Sequence, residues 1–155
     1  MKKEHLEAIA NDPKEFLSRG RNIKALITAK QEHIDEWRKL SESTTVTLKS
    51  GGGSKIGYKQ GLMENAVCNI IDLENEIFIE INELVELERD IREAINTLLT
   101  DTRHKAIFEL RYIQHLKLEE IAVKLNYAFR WVQRLNGRAL AAMKKAALIC
   151  IENAV

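Results

Sequence analysis

Outside one polar stretch, apolar residues return along this chain at helical intervals. Phe16, Ile23, Ile27, Ile34, Trp37 and Leu40 recur at steps of three, four or seven between Lys, Arg, Glu and Gln. That spacing gives a helix one apolar face. Asp12-Pro13-Lys14-Glu15 marks its start: Asp caps, Pro suits the first turn, and Glu three positions after the cap completes a capping box. Further on, Ile70, Ile77, Leu84, Ile91 and Leu98 lie seven apart, with Leu73, Ile81, Leu87 and Ile95 in the intervening turns. A second, longer helix is predicted there.

Between them, from Ser41 to Gly61, the chain reads SESTTVTLKSGGGSKIGYKQG. This Ser-, Thr- and Gly-rich run predicts a flexible linker, with a short strand at TTVTL as the one regular option. After the long helix, Thr100-Asp101-Thr102 breaks the heptad pattern and offers a cap. A helix bearing Ile107, Leu110 and Ile113 follows, then a short helix over residues 118–125, a tight turn at Asn126-Tyr127-Ala128, and a last helix. The organisation expected is an N-terminal helix over residues 1–41, a linker over 42–61, a long acidic helix over 62–100 and a helix-turn-helix domain over 101–155.

The fold class expected is therefore all-α. About 36 residues of helix at about 1.5 Å each span roughly 50 Å, more than a small core needs, so the long helix must pack along something. The N-terminal helix folded back as an antiparallel hairpin would serve. A second copy, pairing as a coiled coil in a homodimer, would serve as well.

A single proline, few aromatics and a charged fraction of 30% fit long solvated helices. The net charge of +1 hides an asymmetry: residues 1–61 carry +4, residues 62–100 carry −8 and residues 101–155 carry +5. A basic C-terminal segment suits a polyanion. The acidic segment is either an interaction helix or a solvated one. Cys68 and Cys150 form no Cys-x-x-Cys pair and no disulfide framework. No signal peptide or membrane span is recognisable, so a cytoplasmic protein is expected.

The two C-terminal helices have the spacing of a helix-turn-helix. Ile121, Ala122 and Leu125 face the core on the first, and Val132 and Leu135 anchor the second. The outer positions of the second helix then include Phe129, Arg130, Gln133 and Arg134. Arg offers a two-pronged fork to guanine, and Gln pairs with adenine in the major groove. Arg130, Arg134 and Arg138 repeat at i, i+4, as a solvated face also would. Trp131 either stacks on a nucleic-acid backbone or packs between helices.

In these residues the chain resembles a known family. LEEIAVKLNYAFRWVQRLNGRALAAMKK is similar to the helix-turn-helix of sigma-70 region 4, with its Leu-Glu-Glu-hydrophobic start, short turn and Arg/Gln-bearing second helix. RYIQHLKLEEIA and YAFRWVQRLNGRAL also resemble small regulators of phages and prophages of Gram-positive bacteria, which place a helical region and linker before a sigma-like domain. The resemblance implies a regulator that binds double-stranded DNA and acts with RNA polymerase. It puts Phe129, Arg130, Gln133 and Arg134 at bases, and Arg111, Lys117 and Arg138 near phosphates. The sequence departs from the family at Ala128, where a Ser or Thr cap is common, and at Phe129, where a polar reader is usual.

Other chemistries find little footing. The four His and two Cys lack a metal-ligand spacing, SGGGS at 50–54 is not followed by Gly-Lys-Ser/Thr, and the glutamates of residues 74–93 spread around their helix. No cofactor and no enzymatic activity are expected. Two competing readings stand beside the regulator: a DNA-packaging protein of the terminase-small-subunit kind, and a helical protein-interaction module without specific DNA binding.

Overall fold

A computed structural model describes residues 1–48 and 56–154. The described chain is all-helical, with no strand. Helix α1 spans Lys3–Asn11, α2 Pro13–Leu48, α3 Ile56–Leu98 and α4 Thr102–Phe108; a π-helical turn, Glu109–Ile113, continues α4. Helix α5 spans Leu118–Leu125 and α6 Phe129–Asn153. Among the described residues, no helix is long and apolar enough to cross a membrane.

The predicted starts hold, with one local change. Asp12 Oδ1 accepts from the Lys14 and Glu15 N–H groups at 2.9 and 3.1 Å. The reciprocal half of the capping box does not form, because the Asp12 N–H donates to the Ala8 carbonyl at the end of α1. Asp101 likewise caps α4 through the Arg103 N–H at 2.8 Å. The Arg103 guanidinium and that N–H hold the Asp101 carboxyl below its usual range.

Residues 1–41, expected as one N-terminal helix, fall in two: α1 ends at Asn11 and α2 begins at Pro13. Nine residues of helix would be marginal alone. Here α1 packs on α6, and its Ile9 is fully buried.

The polar stretch is also more helical than its composition suggests. Residues 41–48 continue α2, and residues 56–61 open α3, so the linker predicted over 42–61 is shortened at both ends. TTVTL is helix, not strand. Its remaining part, residues 49–55, lies outside the described residues. Extending an existing helix costs far less than nucleating one, and the Ser41 and Ser43 hydroxyls donate to the Arg38 and Leu40 carbonyls within the helix.

The chain divides into two compact units, Met1–Asn22 with Leu84–Val155, and Ile23–Glu83. The first has one core, built from Ile9, Phe16, Leu17, Ile91, Ile95, Leu98, Ile107, Phe108, Ile121, Val132, Leu135 and Met143 among others. Its boundaries differ from the expected 101–155, because two N-terminal helices and the end of α3 contribute to that core. In the second unit, Ile34 and Ile77 are buried, while Lys30 pairs with Glu76 at 2.8 Å and with Glu80, and Arg38 with Glu74 at 2.6 Å. Leu40 and Ile81, assigned to the apolar stripes, are exposed. The half-buried Lys30 and Glu80 occupy stripe positions instead. They meet as an ion pair, which lets charged groups occupy a seam that apolar pattern-reading leaves to hydrocarbon.

Candidate nucleic-acid interface

Helix α5 and the start of α6 are held in place by backbone chemistry. Asn126 adopts a left-handed conformation, φ 55°, at the end of α5. Its N–H bonds to the Val123 carbonyl at 3.2 Å, and the Tyr127 N–H reaches the Ala122 carbonyl at 2.9 Å. This pair of bonds is a Schellman closure, and Asn tolerates the left-handed region better than other side-chain-bearing residues. Ile121 and Ala122 are buried on α5; Val132, Leu135 and Ala139 are buried on α6. With those positions turned inward, the outward half of α6 is determined. Asn126→Val should destabilise the domain by about 1–2 kcal/mol, since a β-branched side chain is strained at positive φ, whereas Asn126→Gly should be tolerated. Thermal denaturation of the two variants checks this.

Phe129, Arg130, Gln133, Arg134 and Arg138 all lie on that exposed half. Among the described residues, no ion pair or side-chain hydrogen bond engages Arg130, Gln133 or Arg134. Acids are missing from the neighbourhood in sequence: residues 121–151 contain six Lys and Arg and no Asp or Glu. The charge of this face is therefore uncompensated along the helix. Arg138 lies over the Trp131 ring, 5.6 Å from its centroid. Trp131 itself is half-buried and packs against the core.

The other predicted residues gather beside this face. A cleft of about 290 Å³ is lined by Arg21, Arg111, Lys117, Leu118, Glu119, Phe129 and Gln133. Four of the seven predicted positions, Arg111, Lys117, Phe129 and Gln133, thus share one concavity; Arg130, Arg134 and Arg138 do not line it. Phe129 is 38% exposed. Arg21 was missed, and no local signal marks it: it sits among other basic residues of α2 and meets the cleft only through the fold.

The π-helical turn sets the cleft's inner wall. Arg111 lies 5.6 Å from the centroid of the Tyr112 ring, and its Nε is buried without a hydrogen-bond partner among the described residues. Tyr112 is 3% exposed, and burial pushes its phenol above the ordinary range, opposed by the positive charge of Arg111. At the rim, the Lys117 N–H donates to the Glu120 carboxylate at 2.7 Å, which fixes the entry to α5. Ala128, at the cap position before helix α6, gives it no side-chain cap, as the sequence implies. Among the described residues, no group of His, Cys, Asp and Glu is arranged to hold a metal ion.

Comparison of the chain with models of known protein families, with curated proteins and with solved structures gives no match.

Proposed function

We propose that the chain is a cytoplasmic, sequence-specific regulator that binds double-stranded DNA, of the phage type, with α5, the turn at residues 126–128 and α6 as a sigma-70 region 4-like helix-turn-helix. Helix α6 enters the major groove. Arg130, Gln133 and Arg134 read base edges, Phe129 meets a thymine methyl, and Arg138, steadied on Trp131, contacts a phosphate. One observation carries this reading: an exposed helix half on which Arg130, Gln133 and Arg134 have no partner among the described residues, in a stretch of chain without acids. Salt-bridged surface helices elsewhere in the chain look different, with Arg38, Arg89 and Arg92 each matched to a carboxylate.

In the same proposal α2 and α3 form an antiparallel hairpin. The order of their ion pairs supports it, since Lys30 meets Glu76 and Glu80 whereas the later Arg38 meets the earlier Glu74. The hairpin is the site of contact with RNA polymerase or with a second copy. The experiment that tests the function is selection of bound duplexes from a random pool by the full chain at two salt concentrations. An enriched motif is expected, with affinity falling as salt rises. Binding to no duplex at either salt would overturn the reading.

A second reading has its own observation. Val67, Ile71, Phe78 and Ile81 are exposed on α3 at helical spacing, on an otherwise acidic segment. An apolar row of this kind suits a protein partner and favours the helical interaction module. Retention of a polymerase contact after charge reversal of Arg130 and Arg134 would support it.

A further inference from the structure

We propose that α3 carries a second, exposed seam on which another copy of this chain packs antiparallel, forming a homodimer. The seam rests on the α2–α3 hairpin proposed above and names that hairpin's partner. Along α3, Ile70, Leu73, Ile77 and Glu80 are buried or half-buried and recur at alternating steps of three and four. One residue further on, Ile71, Glu74, Phe78 and Ile81 repeat those steps, with Val67 one turn earlier. A shift of one residue turns the row by about 100° around the helix, so α2, which covers the first row, leaves the second open. Val67, Ile71, Phe78 and Ile81 are 43–66% exposed. Their alternating spacing is that of a coiled-coil seam, which scattered surface residues do not keep.

Charge selects the occupant. Residues 62–100 carry −8, yet the second row and its outer flank hold little of it. Asp72, Glu76 and Glu83 fall on the far side of the helix, and the positions flanking the row are Cys68, Asn75 and Asn82. The one acid in the row, Glu74, is matched by Arg38 at 2.6 Å. An identical face therefore meets no unbalanced charge, whereas a basic partner would find no free acid to pair with.

Glu74 also sets the direction. In a parallel, in-register pair it would stand against Glu74 of the partner subunit, like charge against like. Antiparallel pairing instead sets Ile71 opposite the partner's Ile81, and Glu74 opposite the partner's Phe78. The unit Ile23–Glu83 gains what it lacks: among its described residues only Ile34 and Ile77 are buried, a thin core for two long helices. Two hairpins joined on this face make a four-helix layer with a two-fold axis, and each molecule then carries two copies of α6.

The test measures the mass of the full chain by sedimentation equilibrium, without DNA, for the parent and for Phe78→Glu. Phe78 is the most exposed apolar residue of the row and lies outside the core, so its replacement spares the fold. A dimeric parent is expected, with the dissociation constant raised on the order of 100-fold in Phe78→Glu. Leu40→Glu, at an exposed apolar position of α2 off the row, should leave the dimer intact. Direction is read by disulfide formation in a Cys68→Ser background. Chains bearing Ile71→Cys and Ile81→Cys should cross-link to each other at the introduced thiols, and neither to itself; self-cross-linking of Ile71→Cys would overturn the antiparallel arrangement. A monomeric parent, or a Phe78→Glu dimer as tight as the parent's, would overturn the seam, and a monomeric parent that binds RNA polymerase through this row would give it to that partner. NMR contacts between α2 and α3 in the monomeric species separate the seam from the hairpin: their presence with a failed seam leaves the hairpin standing, and their absence overturns both.

Discussion

Arg130→Ala and Arg134→Ala should each weaken binding to the selected duplex by about 1–3 kcal/mol, roughly 5- to 150-fold, and relax preference at the base each one reads. Both side chains are exposed and unpaired among the described residues, so neither variant should change the melting temperature. That separation matters, because a lost affinity with an intact fold can come only from the interface. Arg138→Ala should behave differently. Its guanidinium rests on Trp131 at the far end of the row, and removing a phosphate contact should weaken motif and unrelated duplexes alike. If Arg130→Ala and Arg134→Ala held the motif as the parent does, the outward half of α6 would not be the reading face.

The residues of this face were legible in the sequence because helical periodicity alone decides them. Once Val132 and Leu135 point inward, Arg130, Gln133 and Arg134 must point out, and the structure buries both anchors. The same holds for the break at Asp101 and the turn at Asn126, where local hydrogen bonds suffice. Lys30 and Glu80 escaped because pattern-reading sorts residues one at a time. Two charged groups can occupy a seam together when each would be unfavourable alone.

The cleft was only half legible for a related reason. Arg111, Lys117, Phe129 and Gln133 lie close in sequence, the first two reached through a resemblance and the last two through helical periodicity, but Arg21 reaches them through tertiary packing. Helix α1 lies within the expected N-terminal helix, but its place in the core is not legible in nine residues: Ile9 is among the most deeply buried residues of that core.

From that packing comes a large expected effect on stability. A fragment of residues 101–155, the domain the sequence marks off, should not fold cooperatively. Of the nineteen buried residues in the core, eight come from outside it: Ile9, Phe16, Leu17, Ile91, Ala94, Ile95, Leu98 and Leu99. Burying a Leu, Ile or Phe side chain contributes about 1.5–3 kcal/mol, and a whole domain is stable by only about 5–15 kcal/mol. Losing seven such large side chains removes about 10–20 kcal/mol, as much as that margin or more. Phe16→Ala in the full chain should alone destabilise this unit by about 3–5 kcal/mol, because Phe16 is 1% exposed and leaves a cavity. Leu26→Ala, at a position 48% exposed, should have little effect and serves as the control. Circular dichroism melting and amide NMR dispersion of the fragment and both variants provide the measurement. A fragment 101–155 that melts at the temperature of the full chain would show that α1 and the start of α2 only decorate the proposed DNA-binding unit. A fragment without a transition would make them part of it, and removal of residues 1–22 would then abolish DNA binding by unfolding the reader, leaving every base-facing side chain chemically intact.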